Sequence, residues 1–241
     1  MTKNYKISVI IPFEDDFPTL NTILNEVREN LRAYDSELII VEVMANKETQ
    51  AVLEEFDDLT IVRYTTPLNM GEAYNRGLEV ATGDLILTMR YGTLLPPKTV
   101  ERLIMALDEN GLDAIGTAAF PAIAQPNFYP TQDIKGFTGA DEVKAQAEKL
   151  YSIENKPSLR DTLFIGDFCG LYRRSVFEEL GLFPEDYDMH ILHDADFSFT
   201  MRKAGKCFKI VENVFVFNYN YGKGTVLGYP SPATFEKHPR M

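Results

Sequence analysis

Lys6-Ile7-Ser8-Val9-Ile10-Ile11-Pro12, followed by Leu20, Ile23, Leu24, Val27 and Leu31 at helical spacing, decides the fold class. The first stretch is a short β-branched apolar run of the kind a buried parallel strand shows, ended by Pro12. The second is an amphipathic helix with Asn, Glu and Arg between its apolar positions. The alternation then repeats. Leu38-Ile39-Ile40-Val41 reads as a second strand, and Asn46 caps a helix running to about Phe56. Leu59 to Tyr64 is a third strand and Gly71 to Ala81 a third helix. Thr82-Gly83-Asp84 turns into a fourth strand, Leu85 to Met89. Pro96-Pro97 opens a helix with Val100, Leu103, Ile104 and Leu107 on one face. Strands and helices at these intervals predict an α/β fold, a doubly wound and mainly parallel sheet with helices on both faces.

The regularity breaks after about Ala119. Pro121 to Thr138 carries three prolines and several aromatics, and reads as an irregular excursion over the sheet. A helix is expected from about Ala140 to Tyr151, ordered structure from Leu163 to Tyr172, and a helix from Arg174 to Leu180. Another helix should span Asp194 to Ala204, followed by a strand-like run from Phe208 to Tyr219 and a loosely held tail over 221–241. The whole chain, 1–241, is expected to form a single domain.

Composition narrows the function. The chain has 241 residues, 45% hydrophobic and 25% charged, the ordinary globular mix. Acidic residues outnumber basic ones 36 to 24, a net charge of -12, which argues against nucleic acid and anionic membranes as partners. Cys169 and Cys207 are too few for a disulfide scaffold and read as two small buried hydrophobes. The N-terminus shows no secretory h-region, and no apolar run approaches the ~20 residues of a membrane span, so a soluble, cytoplasmic protein is expected. No Gly-rich dinucleotide fingerprint follows the first strand, and Tyr221 to Thr225 resembles a P-loop only superficially.

The order of segments resembles the inverting family 2 glycosyltransferases, which have the GT-A fold. Ile7 to Pro12 is similar to the family's opening strand, and Glu37 to Glu42 to its second. Asn69-Met70-Gly71 with Asn75-Arg76-Gly77-Leu78 is similar to its helix start, and Ala81 to Leu87 to its A-x-G-[DE] turn and fourth strand. Gly170 to Phe183 and His193 to Ser198, with Arg202 and Gly205, resemble its second-half signatures. The resemblance implies a nucleotide-sugar half over about 6–119 and an acceptor half over about 120–220. It also implies a nucleoside-diphosphate sugar as donor and an unspecified hydroxyl acceptor as partners.

The departures fall on the metal site. The family's fourth strand ends in Asp-x-Asp, which holds a divalent metal; here Arg90-Tyr91-Gly92 stands in that place. The acidic pair after the second strand is reduced to Glu42, and Asn218 replaces a His. A hard cation prefers anionic oxygens, so no cofactor is expected and no metal ligand is assigned, although a divalent metal stays open. Arg90 is instead a candidate to pair with phosphate oxygens, or else a solvated charge at a strand end.

The resemblance makes Asp194 the candidate general base, against the plainer reading of a helix N-cap. Pro12, Glu42, Arg90, Asp196, Arg173 and Arg202 are the candidate substrate-binding residues. Glu42 would contact the nucleotide base, or else be a strand-end carboxylate facing solvent. Arg173 and Arg174 would line a phosphate site, one of them as a plain surface charge. His190 and His193 lack a third ligand at suitable spacing and are not taken as a metal pair. Two functions stand: a metal-independent inverting transferase, or a non-catalytic nucleotide-sugar-binding or scaffolding module of the same fold.

Overall fold

A computed structural model of the protein describes residues 4–14, 20–120, 140–153, 156–186 and 192–218. The strands are β1 (Lys6–Glu14), β2 (Asp35–Val43), β3 (Leu59–Tyr64), β4 (Leu85–Met89), β5 (Thr93–Leu94), β6 (Ala114–Phe120), β7 (Leu159–Arg160), β8 (Cys169–Arg173) and β9 (Phe208–Asn218). The helices are α1 (Leu20–Leu31), α2 (Lys47–Glu54), α3 (Met70–Val80), α4 (Thr99–Glu109), α5 (Ala140–Ile153), α6 (Arg174–Leu180) and α7 (His193–Lys203).

One sheet runs through both halves of the chain in the order β3-β2-β1-β4-β8-β6-β9-β5, with β7 also paired to β9. The pairs β3–β2, β2–β1, β1–β4 and β6–β9 are parallel, and β8 runs antiparallel to both β4 and β6. Side chains alternate between the two faces as a strand's period of two requires. Ile7, Val9, Ile11 and Phe13 of β1 join Leu38, Ile40, Leu85 and Leu87 in a core covered by α1 and α4. Ile10, Ile39, Val41 and Ile86 face the opposite way, onto residues of α3, α6 and α7. The doubly wound arrangement expected from the sequence is the one observed.

Three expectations need correction. Pro12 does not end β1; it pairs in register with Val41, and the strand runs on to Glu14. Pairing with β4 stops at Ile10, so beyond it β1 has a single neighbour, and the missing proline N–H is tolerated. The stretch Ala114 to Phe120 is a strand that the sequence did not announce, because three alanines and a glycine break up its β-formers Ile115, Thr117 and Phe120. Cys207 is exposed, and only Cys169 is the buried hydrophobe both were expected to be. The excursion over 121–138 and the tail over 221–241 lie outside the described residues.

Local chemistry fixes the helix starts. Asn46 caps α2 by accepting from the Thr49 N–H at 2.9 Å, as expected. Asn69 and Glu72 form a reciprocal capping box on α3. The start of α4 is different: Lys98 has a left-handed φ of 64° and no side-chain cap bond. A buried residue of α1 supplies the cap, since Asn30 accepts from the Val100 N–H and donates to the carbonyls of Leu95 and Pro96.

The first turn of α3 lies so close to the segment after α6 that a Cβ on Gly71 would overlap the carbonyl oxygen of Pro184. Backbone cannot rotate away as a side chain does. Gly71→Ala is expected to lower stability by about 1–3 kcal/mol, the usual range for overpacking. A fall in the urea midpoint with an unchanged slope checks this.

Candidate active site

The carboxyl ends of β1, β2 and β4 form one edge of the sheet, where open α/β folds bind ligands. Arg90 follows β4 directly. Because β8 pairs antiparallel to β4, with Met89 opposite Cys169, the residues just before β8 arrive at the same edge. The Arg90 N–H donates to the Phe168 carbonyl at 3.3 Å, and its guanidinium lies 5.7 Å over the Phe168 ring. Its Nη1 is 3.4 Å from Asp167 Oδ1. Arg90 and Asp167 are only 8% and 5% exposed. Among the described residues, nothing hydrogen-bonds to Arg90 Nη2 or Asp167 Oδ2, although both atoms are buried. An ion pair so deeply buried is expected to saturate its donors and acceptors, and this one leaves one of each open.

Helix α7 holds this corner in place. Asp194, Ser198 and Arg202 are spaced four apart, so they share one face of the helix. Asp194 Oδ2 accepts from the Asp167 N–H at 3.0 Å, and Ser198 Oγ accepts from the Ile165 N–H at 3.1 Å. Arg202 donates to the Thr162 carbonyl at 2.6 Å, and its guanidinium covers the Phe208 ring. Three rungs thus pin the strap 162–167 along α7. Tyr74, in α3, donates to the Asp167 carbonyl at 3.2 Å and packs against His193 and Phe183.

Asp194 is not an N-cap. That position belongs to Leu192, with φ 88° and no side-chain cap bond, while Asp194 Oδ1 accepts from the Ala195 N–H at 2.8 Å. Burial pushes its carboxyl up to about 7, the Asp167 carboxylate adds to this, and the two backbone N–H donors and Arg90 oppose it. Burial, the largest influence, opposes the charge on Arg90, but Asp167, Tyr74, Tyr91 and Asp194 together outweigh it, and the guanidinium is lifted further. Burial also keeps the hydroxyls of Tyr74 and Tyr172 neutral.

The remaining expected residues scatter. Pro12 lies at the same edge as Arg90, buried in β1. Glu42 does not face solvent: it is 2% exposed, accepts from Gln50 at 2.7 Å and pairs with Arg63 at 2.8 Å. Arg173 does not join the cluster. It sits opposite Leu85, at the amino end of β4, and donates to Leu112, Tyr5 and Asp108. Arg174 donates there to the Gly83 carbonyl at 2.5 Å. Arg202 acts on the strap, and Asp196, half-buried in the first turn of α7, lies two residues from Asp194 and so on another side of the helix. His190 is outside the described residues.

Asp167 and Tyr74 were missed. Nothing marks Gly166-Asp167 as special until β8 is known to lie beside β4, since no motif carries them.

The charged groups at the end of β4 differ from a carboxylate metal site. Among the described residues no three His, Cys, Asp or Glu side chains gather as a metal group. At the end of β4, where carboxylates would be required, a guanidinium stands, and Asn218 is engaged with the Tyr91 carbonyl and the Thr93 hydroxyl, each at 3.1 Å. Neither Arg90 nor Asn218 offers an anionic oxygen to a cation there.

Residues 8–181 match the model of Glycosyl transferase family 2. The chain belongs to that family. It is 25% identical over 190 residues to the O-antigen biosynthesis protein RfbC of Myxococcus xanthus, covering 76% of this chain and 15% of that protein. The fold is similar to a mannosyltransferase from Pyrobaculum calidifontis solved with GDP-Man and Mn2+, with TM-score 0.65 and 19% identity. That match covers 92% of this chain and 59% of the other. GalNAc-T7, solved with UDP, GalNAc and Mn2+, superposes with TM-score 0.66 at 14% identity over 89% of this chain and 44% of that one. The glycosyltransferase fold, GT-A, is thus the fold of this chain, which spans well under two thirds of each of these proteins. No described helix is long and apolar enough to cross a membrane.

The Asp194 carboxyl gives a stability test with a definite sign. Between its ordinary value of 3.8 and about 7, the unfolded chain has lost this proton while the native state keeps it. The group's contribution to stability therefore falls as pH rises through that window and is constant above it. The melting temperature of Asp194→Asn should fall less steeply from pH 5 to pH 8 than that of the wild type, as scanning fluorimetry at several pH values would check.

Proposed function

We propose that this protein transfers a sugar from a nucleoside-diphosphate sugar to a hydroxyl acceptor, with inversion and without a divalent metal. The observation that carries the reading is the open Nη2 of buried Arg90, close to a carboxyl held near neutrality. A guanidinium in a water-poor corner stabilises negative charge where it develops, here on the departing diphosphate. It takes the place that the Asp-x-Asp metal would hold. Asp194 accepts the proton of the acceptor hydroxyl as its oxygen attacks the anomeric carbon, and a base of pKa near 7 suits neutral pH. Pro12 and Glu42 border the nucleoside, with Arg63 and Gln50 fixing the Glu42 carboxylate. The relatives solved with GDP-Man and with UDP support a nucleotide donor. A binding or scaffolding module needs no proton acceptor, so the poise of Asp194 favours the transferase.

Nucleoside diphosphates at millimolar concentration should raise the melting temperature equally with Mn2+ and with EDTA, by mass action on the native state. No shift with any of them removes the donor reading, and a shift abolished by EDTA removes metal independence. Arg90→Ala should weaken nucleoside diphosphate binding by about 10- to 100-fold, the loss of one charge-assisted bond, while nucleoside binding changes little. Titration calorimetry separates the two.

For turnover, Asp194→Asn should lower kcat by at least ~100-fold with donor affinity nearly unchanged, because the amide cannot take the proton. Unchanged turnover would move the base elsewhere. Donor binding by the wild type with no transfer to any acceptor would leave the binding module.

A further inference from the structure

Asp167 touches every part of the corner. Its carboxylate pairs with Arg90, its N–H donates to Asp194 Oδ2, and its carbonyl accepts from Tyr74. The Arg90 contact is long, at 3.4 Å, and leaves Arg90 Nη2 and Asp167 Oδ2 unsatisfied. The pair is therefore held loosely enough for a competing anion to draw the guanidinium off. The contact to Asp194 is different in kind. It uses the backbone, so it survives whatever the side chain does.

We propose that Asp167 is a positioning residue that couples the diphosphate site at Arg90 to Asp194, so that negative charge arriving at the first brings a proton onto the second. This rests on the reading of Arg90 as the diphosphate partner. As the bond from the anomeric carbon to the phosphate oxygen breaks, its electron pair leaves with the diphosphate, which gains a unit of negative charge. The new bond forms from the acceptor oxygen, whose proton passes to Asp194. The added charge on the leaving group draws Arg90 from Asp167. The uncompensated Asp167 carboxylate then faces Asp194 at close range in a medium of low polarity, where like charges raise the affinity for a proton. Base strength thus rises as the leaving group departs.

Among the described residues, the charged and titratable groups around Asp194 come from several elements. Asp167 comes from the strap, Arg90 from the end of β4, Tyr74 from α3 and Tyr172 from β8, with His193 its neighbour on α7. Both tyrosine hydroxyls are held neutral by burial, and replacing Asp194 itself tells its proton from one on the neighbouring His193.

Calorimetric titration of the full chain with UDP and with GDP at pH 7, in buffers of different ionisation enthalpy, measures the protons taken up on binding. A group with a pKa of about 7 is half protonated there, so wild type can take up to about half a proton. Asp194→Asn removes the acceptor, and the uptake it lacks relative to wild type is the protein's own rather than the nucleotide's. Asp167→Asn keeps the backbone donor and the side-chain shape, and should bind the nucleotide while losing that same fraction. A purely structural Asp167 would leave the uptake unchanged in any variant that still binds. Binding by wild type with the same proton count in Asp194→Asn overturns the coupling, even if Asp167→Asn fails to fold. Uptake retained in a nucleotide-binding Asp167→Asn overturns the role of Asp167. Absence of binding by either nucleotide to wild type instead overturns the donor reading on which the coupling stands.

Discussion

The carboxylate of Asp194 accepts two backbone hydrogen bonds inside the protein, one from its own helix and one from the strap. Much of what packs on α7 is arranged around that second bond. With Ser198 and Arg202 it fixes where the strap runs, and the strap fixes the Asp167 side chain against Arg90. A buried carboxylate is unfavourable unless its oxygens are satisfied, so the clasp is as much a requirement as a convenience. It leaves a carboxyl that is well oriented, dry and ready to gain or lose a proton near neutral pH.

The sheet makes this arrangement possible. A strictly parallel sheet would have brought only strand ends and helix starts to the binding edge. The reversed strand β8 delivers the segment that precedes it to the edge beside β4, so a late part of the chain meets an early one there. The same reversal carries Arg173 away to the opposite edge, where it ties β8 to Asp108, Leu112 and Tyr5. Its neighbour in sequence to the candidate site was no guide to its place in space.

Much of the first half was legible because each strand and helix there declares itself locally. Leu59 to Tyr64, Leu85 to Met89 and the cap at Asn46 were read as they stand. The strand Ala114 to Phe120 was not legible, since its alanines and glycine have no β preference and its place is set by β8 and β9. Arg90 and Asp194 could be singled out from the family pattern. Asp167 could not, because its significance comes from a pairing between strands some eighty residues apart, and periodicity carries no such information. The position of Glu42 was legible but its company was not: Arg63 and Gln50 come from separate elements.

Asn30 has a consequence for how the molecule opens. It belongs to α1 by sequence, yet its side chain closes the start of α4. Helix α4 cannot keep that start if α1 detaches, and α1 cannot detach without stranding a buried amide. The two helices on that face are therefore one cooperative unit of local unfolding, and the slow exchange of their amide hydrogens should share a single opening free energy.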